Sequence, residues 1–239
     1  MTASRLIFAF AAFAAATACD AIVADPGRPD SALEFPQPDR EVPDVVSNQF
    51  SNEDARDERG EAREVMEIAD IAEGMTVADI GAGEGYYTVR LAERVGDTGR
   101  VLAQDIDREA LERLGRRVER ERLENISIKQ GEADDPRLPD DSFDRVFLVH
   151  MYHEVTEPYA FLWRMWPSLA SGGQIIVVDT NRPTANHGMP PELLFCEFRS
   201  IGYRLIEFVE KPELKSYVAR FERGDARAEP GRIITCSDD

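Results

Sequence analysis

One stretch, residues 77–88, constrains the fold of this chain more than any other. It reads VADIGAGEGYYT: an apolar run that ends in an acid, three glycines at alternate positions, and the start of a helical pattern. Such a sequence predicts a strand, a tight turn and a helix. Glycine tolerates positive φ and has no Cβ, so a ligand can lie against the turn. The free N–H groups at the start of the following helix favour a polar or anionic ligand edge.

The glycine spacing separates the known nucleotide-binding motifs. A dinucleotide fingerprint needs G-x-G-x-x-G, but its last position is Tyr86 in one frame and Thr88 in the other. The G-x-x-x-x-G-K-[ST] pattern of a P-loop does not occur here either. The pattern that fits is an acid followed by three alternating glycines: Asp79, Gly81, Gly83 and Gly85.

These four residues resemble the first motif of class I S-adenosylmethionine-dependent methyltransferases, and the resemblance extends from about residue 61 to the C-terminus. The phrases LPDDSFD at 138–144 and LASGGQIIVVD at 169–179 are similar to the same family. The resemblance implies a Rossmann-like, doubly wound α/β fold with a mostly parallel seven-stranded sheet and an antiparallel C-terminal hairpin strand. It also implies S-adenosylmethionine as the cofactor. A plain strand–helix turn is the alternative for the glycine stretch.

The second predicted strand ends in an acid, Asp105, twenty positions after Gly85. At this spacing a βαβ unit brings an acid to a bound ribose, whose hydroxyls can donate charge-assisted hydrogen bonds. Asp107 is the rival, although it fits as the cap of the next helix. The resemblance assigns the ribose to Asp105, the adenine amino group to Asp134 and a ring nitrogen to the backbone of Ala133. A polar loop without a ligand is the alternative for that last pair.

The fourth predicted strand, 145–150, is almost continuously apolar, which indicates burial on both faces of a parallel sheet. His150 at its end is included in the predicted cofactor site. Ligands of open α/β sheets bind outside the carboxyl ends of strands, so Tyr152, His153 and Glu154 are the predicted catalytic residues.

Methyl transfer first requires that nucleophile and methyl group are held in line. His153 has the intrinsic pKa of a base for a nucleophile that must lose a proton, and Tyr152 would line the methyl site. The alternative is that His153 and Glu154 cap the next helix or pair with each other.

Other polar residues are placed near the substrate side. Asp179 ends the fifth predicted strand, and the following loop, 182–191, has the length of a lid with Arg182 and His187 able to touch substrate. The charged residues 56–59 precede the glycine stretch, and we expect them to form a solvated face.

Residues 1–19 are predicted to be a signal peptide, because Arg5 precedes an apolar run too short to span a bilayer. ATAC at 16–19 resembles a lipobox, which predicts a lipidated Cys19 and an exported, periplasmic, membrane-anchored lipoprotein. Simple export and a cytoplasmic protein with a misassigned start are the alternatives. Residues 20–52 are rich in proline and acids, which predicts an extended tether or an arm docked on the domain at 53–239.

Composition and cysteines limit the partners. The net charge of −18 disfavours nucleic acid, because phosphates demand Lys and Arg, and a small-molecule substrate is expected. Cys196 and Cys236 are expected to be separate buried thiols, and a disulfide is the alternative for an oxidising compartment. Without C-x-x-C or a His/Cys cluster in the sequence, no metal is expected.

The sequence therefore predicts methyl transfer from S-adenosylmethionine to an unidentified small-molecule or exported acceptor. The alternative is an exported module that binds a nucleoside or a partner without catalysis, since the methyl donor is made in the cytoplasm. A nicotinamide oxidoreductase is disfavoured by Tyr86 and Thr88. The oligomeric state is left open.

Overall fold

Seven strands form one mixed sheet in the computed structural model, which describes residues 27–44 and 53–237. In chain order they are β1 Thr76–Ile80, β2 Arg100–Asp105, β3 Ile126–Gln130, β4 Phe143–Val149, β5 Leu169–Asp179, β6 Tyr203–Lys211 and β7 Ser216–Arg223. Their order across the sheet is β3-β2-β1-β4-β5-β7-β6. The first five strands pair in parallel, and β7 lies antiparallel between β5 and β6. The predicted fold class is confirmed.

Six α-helices accompany the sheet in the described part of the chain. They are α1 Glu53–Glu58, α2 Glu61–Ile68, α3 Tyr86–Val95, α4 Arg108–Glu121, α5 Pro158–Met165 and α6 Pro191–Ile201. α1 and α2 are separate helices, because Gly60 adopts a left-handed conformation with φ of 69° between them, and glycine alone reaches that region without cost.

The sheet is buried on both faces because successive strand residues point in opposite directions. In β1, Val77 packs among residues of α2 and α3, whereas Ala78 and Ile80 pack among residues of α5 and α6. The aromatic residues of α5 belong to the core, with Tyr159 and Phe161 both buried.

Parallel pairing brings the ends of four strands to one edge of the sheet. Ile80 of β1 lies beside Gln104 of β2 and Leu148 of β4, and Val149 of β4 lies beside Val178 of β5. The residues that follow these strands in the chain therefore meet in one place, outside the carboxyl ends.

Residues 27–44 pack on the domain, so the extended tether is wrong for them and the docked arm describes them. Phe35 is 3% exposed within the core. Arg28 forms an ion pair with Glu157 at 2.6 Å, and Arg40 forms one with Glu197 at 2.9 Å in which both side chains are fully buried. Arg40 also donates to the carbonyl oxygen of His153 at 2.9 Å. The arm therefore supports the segment that follows β4.

Cys196 and Cys236 form a disulfide, with their Cα atoms 5.9 Å apart. The expectation of two separate thiols is wrong, because the chain returns after β7 and lays its last described residues against α6 and α5, where the backbone N–H of Cys236 donates to Tyr159 Oη at 2.7 Å. Residues 233–236 form no strand. Asp39 and Ser237 instead make an isolated parallel bridge.

The predicted signal peptide and Cys19 lie outside the described residues, as does the segment 45–52. Within 27–44 and 53–237, none of the helices combines the length and apolar character that crossing a bilayer requires.

The buried ion pair of the arm generates a first prediction. Arg40→Ala should lower the free energy of unfolding by roughly 3–5 kcal/mol, because it leaves the charge of Glu197 buried without its counter-ion. Chemical denaturation followed by circular dichroism measures this. Arg204→Ala is the matched control, since the Arg204 side chain is 70% exposed in its pair with Glu222, and its effect should stay within about 1 kcal/mol. Equal losses in the two variants would contradict the role given to Arg40.

Candidate functional site

Two cavities lie side by side at the carboxyl edge of the sheet. The first has a volume of about 480 Å³ and the second about 700 Å³. They share a border, so a molecule in one can touch a molecule in the other. The border residues are Gly81, Glu84, Val149, His150 and Glu154.

The glycine turn forms one wall of the first cavity. Gly81 has φ of 68°, and a Cβ there would lie 2.8 Å from Cγ of Met151, so the turn closes over that side chain only without one. Gly81 and Gly83 line the cavity. Gly85 does not line either cavity: its φ is 90° and a Cβ would lie 2.4 Å from Leu114 of α4. Its predicted ligand contact is therefore corrected to a helix-packing role.

Asp105 joins the glycine turn to the tip of β2. One carboxylate oxygen accepts from the backbone N–H of Gly83 at 2.8 Å, and the other accepts from that of Asp107 at 2.9 Å. A carboxylate oxygen has more than one acceptor site, so Asp105 can still bind hydroxyls in the first cavity, which it lines. Asp107 caps α4 by accepting from Glu109 N at 2.8 Å. The ribose role of Asp105 stays a prediction.

Asp134 does not reach the first cavity. It is 1% exposed, its carboxylate accepts from Ser31 Oγ at 2.6 Å, and it forms an ion pair with Arg164. The adenine role given to Asp134 is therefore corrected: this acid fastens the arm to α5. The acid of this loop that lines the cavity is Glu132, beside Ala133, and its carboxylate also pairs with the exposed Arg137. The sequence analysis missed Glu132, because nothing in the loop itself shows which of two nearby acids is engaged by distant residues.

Asp79 lies beneath the glycine turn and lines the second cavity rather than the first. It is 3% exposed and accepts a hydrogen bond from Thr88 Oγ1 at 2.6 Å. Burial raises the pKa of Asp79 to about 6 against the hydrogen bond from Thr88, and the nearby Asp105 adds to the rise. Asp79 thus joins β1 to α3, and its contact with the cofactor stays a prediction.

His150 stands at the border of the cavities, with φ of 52° directly after β4. Its ring lies 3.8 Å from the carboxylate of Glu61. Burial by itself would raise the pKa of Glu61, but the neighbouring His150 and Arg56 outweigh it and hold that pKa at about 2.

Arg56 belongs to the second cavity and not to a solvated face. Its guanidinium lies 3.8 Å from the centre of the Tyr86 ring, and its side chain is 12% exposed. Such cation–π stacking fixes the position of the charge. The expectation of a solvated segment at 56–59 is therefore wrong for Arg56. Its partner is Tyr86, which the sequence analysis considered only as a departure from the dinucleotide motif.

The three predicted catalytic residues separate in the structure. Tyr152 is fully buried, donates to Glu197 at 2.7 Å and reaches neither cavity, so its catalytic role is corrected. Glu154 borders both cavities and His153 lines the second. Nδ1 of His153 lies 2.9 Å from a carboxylate oxygen of Asp179. Across the second cavity, Nδ1 of His187 lies 3.7 Å from the carboxylate of Glu154.

The core of the chain matches a known family. Residues 77–173, which span β1 to the start of β5, match the family described as a methyltransferase domain. A SAM-dependent methyltransferase from Aquifex aeolicus superposes with a TM-score of 0.65 at 24% identity, over 70% of this chain and 92% of that one. The chain therefore contains a methyltransferase domain, and its fold is that of the class I S-adenosylmethionine-dependent methyltransferases.

Curated relatives carry the same resemblance over part of their length. The ubiquinone/menaquinone biosynthesis C-methyltransferase UbiE of Enterobacter sp. (strain 638) is 30% identical over 127 residues, 51% of this chain and 49% of that protein. The demethylmenaquinone methyltransferase of Geobacillus sp. (strain WCH70) is 25% identical over 174 residues, 71% of this chain and 70% of that protein. The methyltransferase chain thus spans about half the length of the first of these relatives.

The first cavity fits S-adenosylmethionine, the cofactor of this family. Its volume is in the range of small-molecule sites, about 300–1,000 Å³. The glycine turn offers bare backbone, Asp105 and Glu132 offer two carboxylates at separate strand ends, and apolar side chains offer a surface for a flat base. The apolar residues that line it include Ile106, Val149, Met151, Val155 and Phe161.

The buried carboxyl of Asp79 gives this methyltransferase a pH-dependent stability term. Because its folded pKa of about 6 lies above the unfolded value of 3.8, the folded state binds the extra proton. The contribution is full below pH 3.8 and is lost as pH rises through 6. Asp79→Asn should remove it, so the unfolding free energy of the unmodified protein should fall by about 2–3 kcal/mol relative to that of the variant between pH 4 and pH 7. Urea denaturation across that range measures it, and a constant difference would contradict the raised pKa.

Proposed function

We propose that this chain transfers the methyl group of S-adenosylmethionine, bound in the first cavity, to a small polar acceptor bound in the second. The observation that carries the proposal is the shared border of the cavities. Gly81, His150 and Glu154 line both, so two molecules can meet there without crossing protein. Holding the reacting atoms close and in line is the main requirement of methyl transfer.

S-adenosylmethionine supplies a methyl group activated by a positively charged sulfur. In this proposal Asp105 accepts from the ribose hydroxyls, and Glu132 and Ala133 contact the base; all three line the first cavity. Glu84 and Glu154 lie at the border with their negative charges, where they favour a cationic donor over its neutral product.

The second cavity favours a polar acceptor. Its wall includes the cationic side chains of Arg56, Arg59 and Lys215, and His153, which is paired with the buried Asp179 behind it. Nδ1 of His153 faces a carboxylate, which fixes the ring and leaves the lone pair of Nε2 available on the side of the second cavity. Relatives named for ubiquinone and menaquinone biosynthesis make a hydroxylated ring one acceptor to test.

A substitution in the first cavity tests both cofactor binding and methyl transfer. Asp105→Ala should weaken binding of S-adenosylhomocysteine at least about tenfold, because it removes charge-assisted hydrogen bonds to the ribose. Asp97→Ala is the matched control: Asp97 lies at the opposite end of β2, in an exposed turn. Calorimetry measures affinity, and transfer of labelled methyl to hydroxylated small molecules, including a quinol, measures turnover.

Two outcomes oppose the proposal in different ways. If Asp105→Ala binds as tightly as the unmodified protein, the nucleoside lies elsewhere. If the protein binds S-adenosylhomocysteine with micromolar affinity but methylates nothing, the non-enzymatic nucleoside-binding module is the better reading of the same cavity.

We also propose that the protein works in an oxidising compartment after export, with Cys19 as its lipid anchor. The Cys196–Cys236 disulfide supports this, because reducing compartments keep most thiols free. Mass spectrometry of the protein from its native membrane should find an N-terminal Cys19 with added acyl mass. An unprocessed Met1 with both thiols free would overturn export, and an unlipidated cleaved terminus would reduce the proposal to simple secretion.

A further inference from the structure

Three side chains at the back of the second cavity converge on one point. Nε2 of His153 and Nδ1 of His187 lie 3.8 and 3.7 Å from the same carboxylate oxygen of Glu154. One ligand atom from each residue lies within 4.8 Å of the others. Both imidazole–carboxylate separations are longer than a hydrogen bond, which ends near 3.2 Å, and resemble the separation of two ligands of one ion.

The distances suit a tetrahedral or octahedral transition metal. With bonds of about 2.1 Å, ligand atoms around such an ion stand about 3.0–3.4 Å apart. The two separations to Glu154 exceed this by a few tenths of an ångström, which a small rotation of either histidine closes. His153 and Glu154 are 4% and 14% exposed, and His187 is 38% exposed. The centre is therefore walled by protein on one side and open to the cavity on the other.

Asp179 fixes the histidine that such an ion would need. It is fully buried, and its carboxylate lies 2.9 Å from Nδ1 of His153. The other oxygen accepts from the backbone N–H of Thr180 at 2.7 Å, so the carboxylate is held in place. Nδ1 of His153 therefore carries the proton and Nε2 presents a lone pair towards Glu154. A carboxylate–histidine pair of this kind is the usual support of a metal-bound imidazole.

His187 is also held in position by its own loop. Its φ is 54°, in the left-handed region that non-glycine residues rarely occupy. Arg182 donates to its carbonyl oxygen at 3.0 and 2.9 Å, and Met189 N donates to Thr180 O at 2.9 Å. A strained residue that is fixed on both sides is typical of a ligand clamp. The loop after β5 thus returns His187 to the end of β4.

We propose that His153, Glu154 and His187 form a binding site for a divalent transition-metal ion of the Zn²⁺ class, supported by Asp179. Two imidazoles and one carboxylate select such ions over Mg²⁺ and Ca²⁺, which prefer all-oxygen sites. Three protein ligands leave a position open. The open position faces the second cavity, so the site favours molecules in that cavity that can bind the metal ion. The sequence did not predict this site.

The metal site itself does not depend on the proposed function, but its role in selecting the methyl acceptor rests on that function. If the second cavity holds the methyl acceptor, the metal selects an acceptor with a hydroxyl or carboxylate oxygen that can occupy the open position. A metal-bound hydroxyl loses its proton to solvent more readily than a free one. Glu154 borders the first cavity as well, so the bound oxygen would stand next to the donor.

Metal binding is tested on the full chain without a histidine tag, after removal of metals with EDTA. The chain contains 3 histidines in all, which keeps the signal simple. Titration with Co²⁺ should give saturable visible absorption at one equivalent, Zn²⁺ should displace it, and Mg²⁺ should not. His187→Ala, the more exposed ligand, should weaken Co²⁺ binding at least about tenfold, and Asp179→Asn should weaken it about 10–100-fold through His153.

His150→Ala is the matched control, because His150 lies at the cavity border but not in the cluster. It should leave Co²⁺ affinity unchanged. Melting temperature and circular dichroism show whether each variant is folded. No saturable Co²⁺ signal, or equal affinity in the unmodified protein, His187→Ala and Asp179→Asn, overturns the metal site. Metal binding as expected without methyl transfer to any acceptor leaves the metal site standing and removes the proposed function alone.

Discussion

Parallel pairing of β1, β2, β4 and β5 is the constraint on which the rest of this structure depends. It places the ends of four strands at one edge, so that Gly81, Asp105 and His150, far apart in the chain, line one cavity. The hydrophobic burial that holds the sheet flat between two helical layers therefore also fixes the distances between polar side chains. If one strand shifted its pairing register by two residues, the same side chains would still face the core, but the polar residues at the strand ends would no longer meet.

The arm adds a second layer of support on the same edge. Arg40 lies in a fully buried ion pair with Glu197, which also accepts from Tyr152, and Arg40 holds the carbonyl oxygen of His153. The residues just after β4 are thus held in place by buried charged side chains that line neither cavity. Removing one member leaves another charge buried, which costs more than the contact itself. This explains how buried polar residues near a site can be essential without being part of it.

The sequence predicted the sheet, the glycine turn and Asp105 because these follow from local spacing and strand periodicity. It could not separate Glu132 from Asp134, since the choice depends on Ser31 and Arg164, which reach Asp134 from distant segments. It assigned Tyr152 to the site only because this residue follows β4. In the structure the Tyr152 side chain is buried and donates to Glu197 of α6. The disulfide was missed for the same reason, because pairing is a property of the fold.

The second cavity shows how a local irregularity can carry chemistry. The loop after β5 is closed by Arg182 and by the Met189–Thr180 hydrogen bond, and it holds His187 in an unfavourable backbone conformation. A loop with only a covering role could relax this residue to the common region at no loss. The strain persists because the loop's hydrogen bonds over-determine the position, and the position they enforce points an imidazole at Glu154. The loop after β5 therefore both forms part of the wall of the second cavity and positions the side chain that gives this cavity a preference for one kind of ligand.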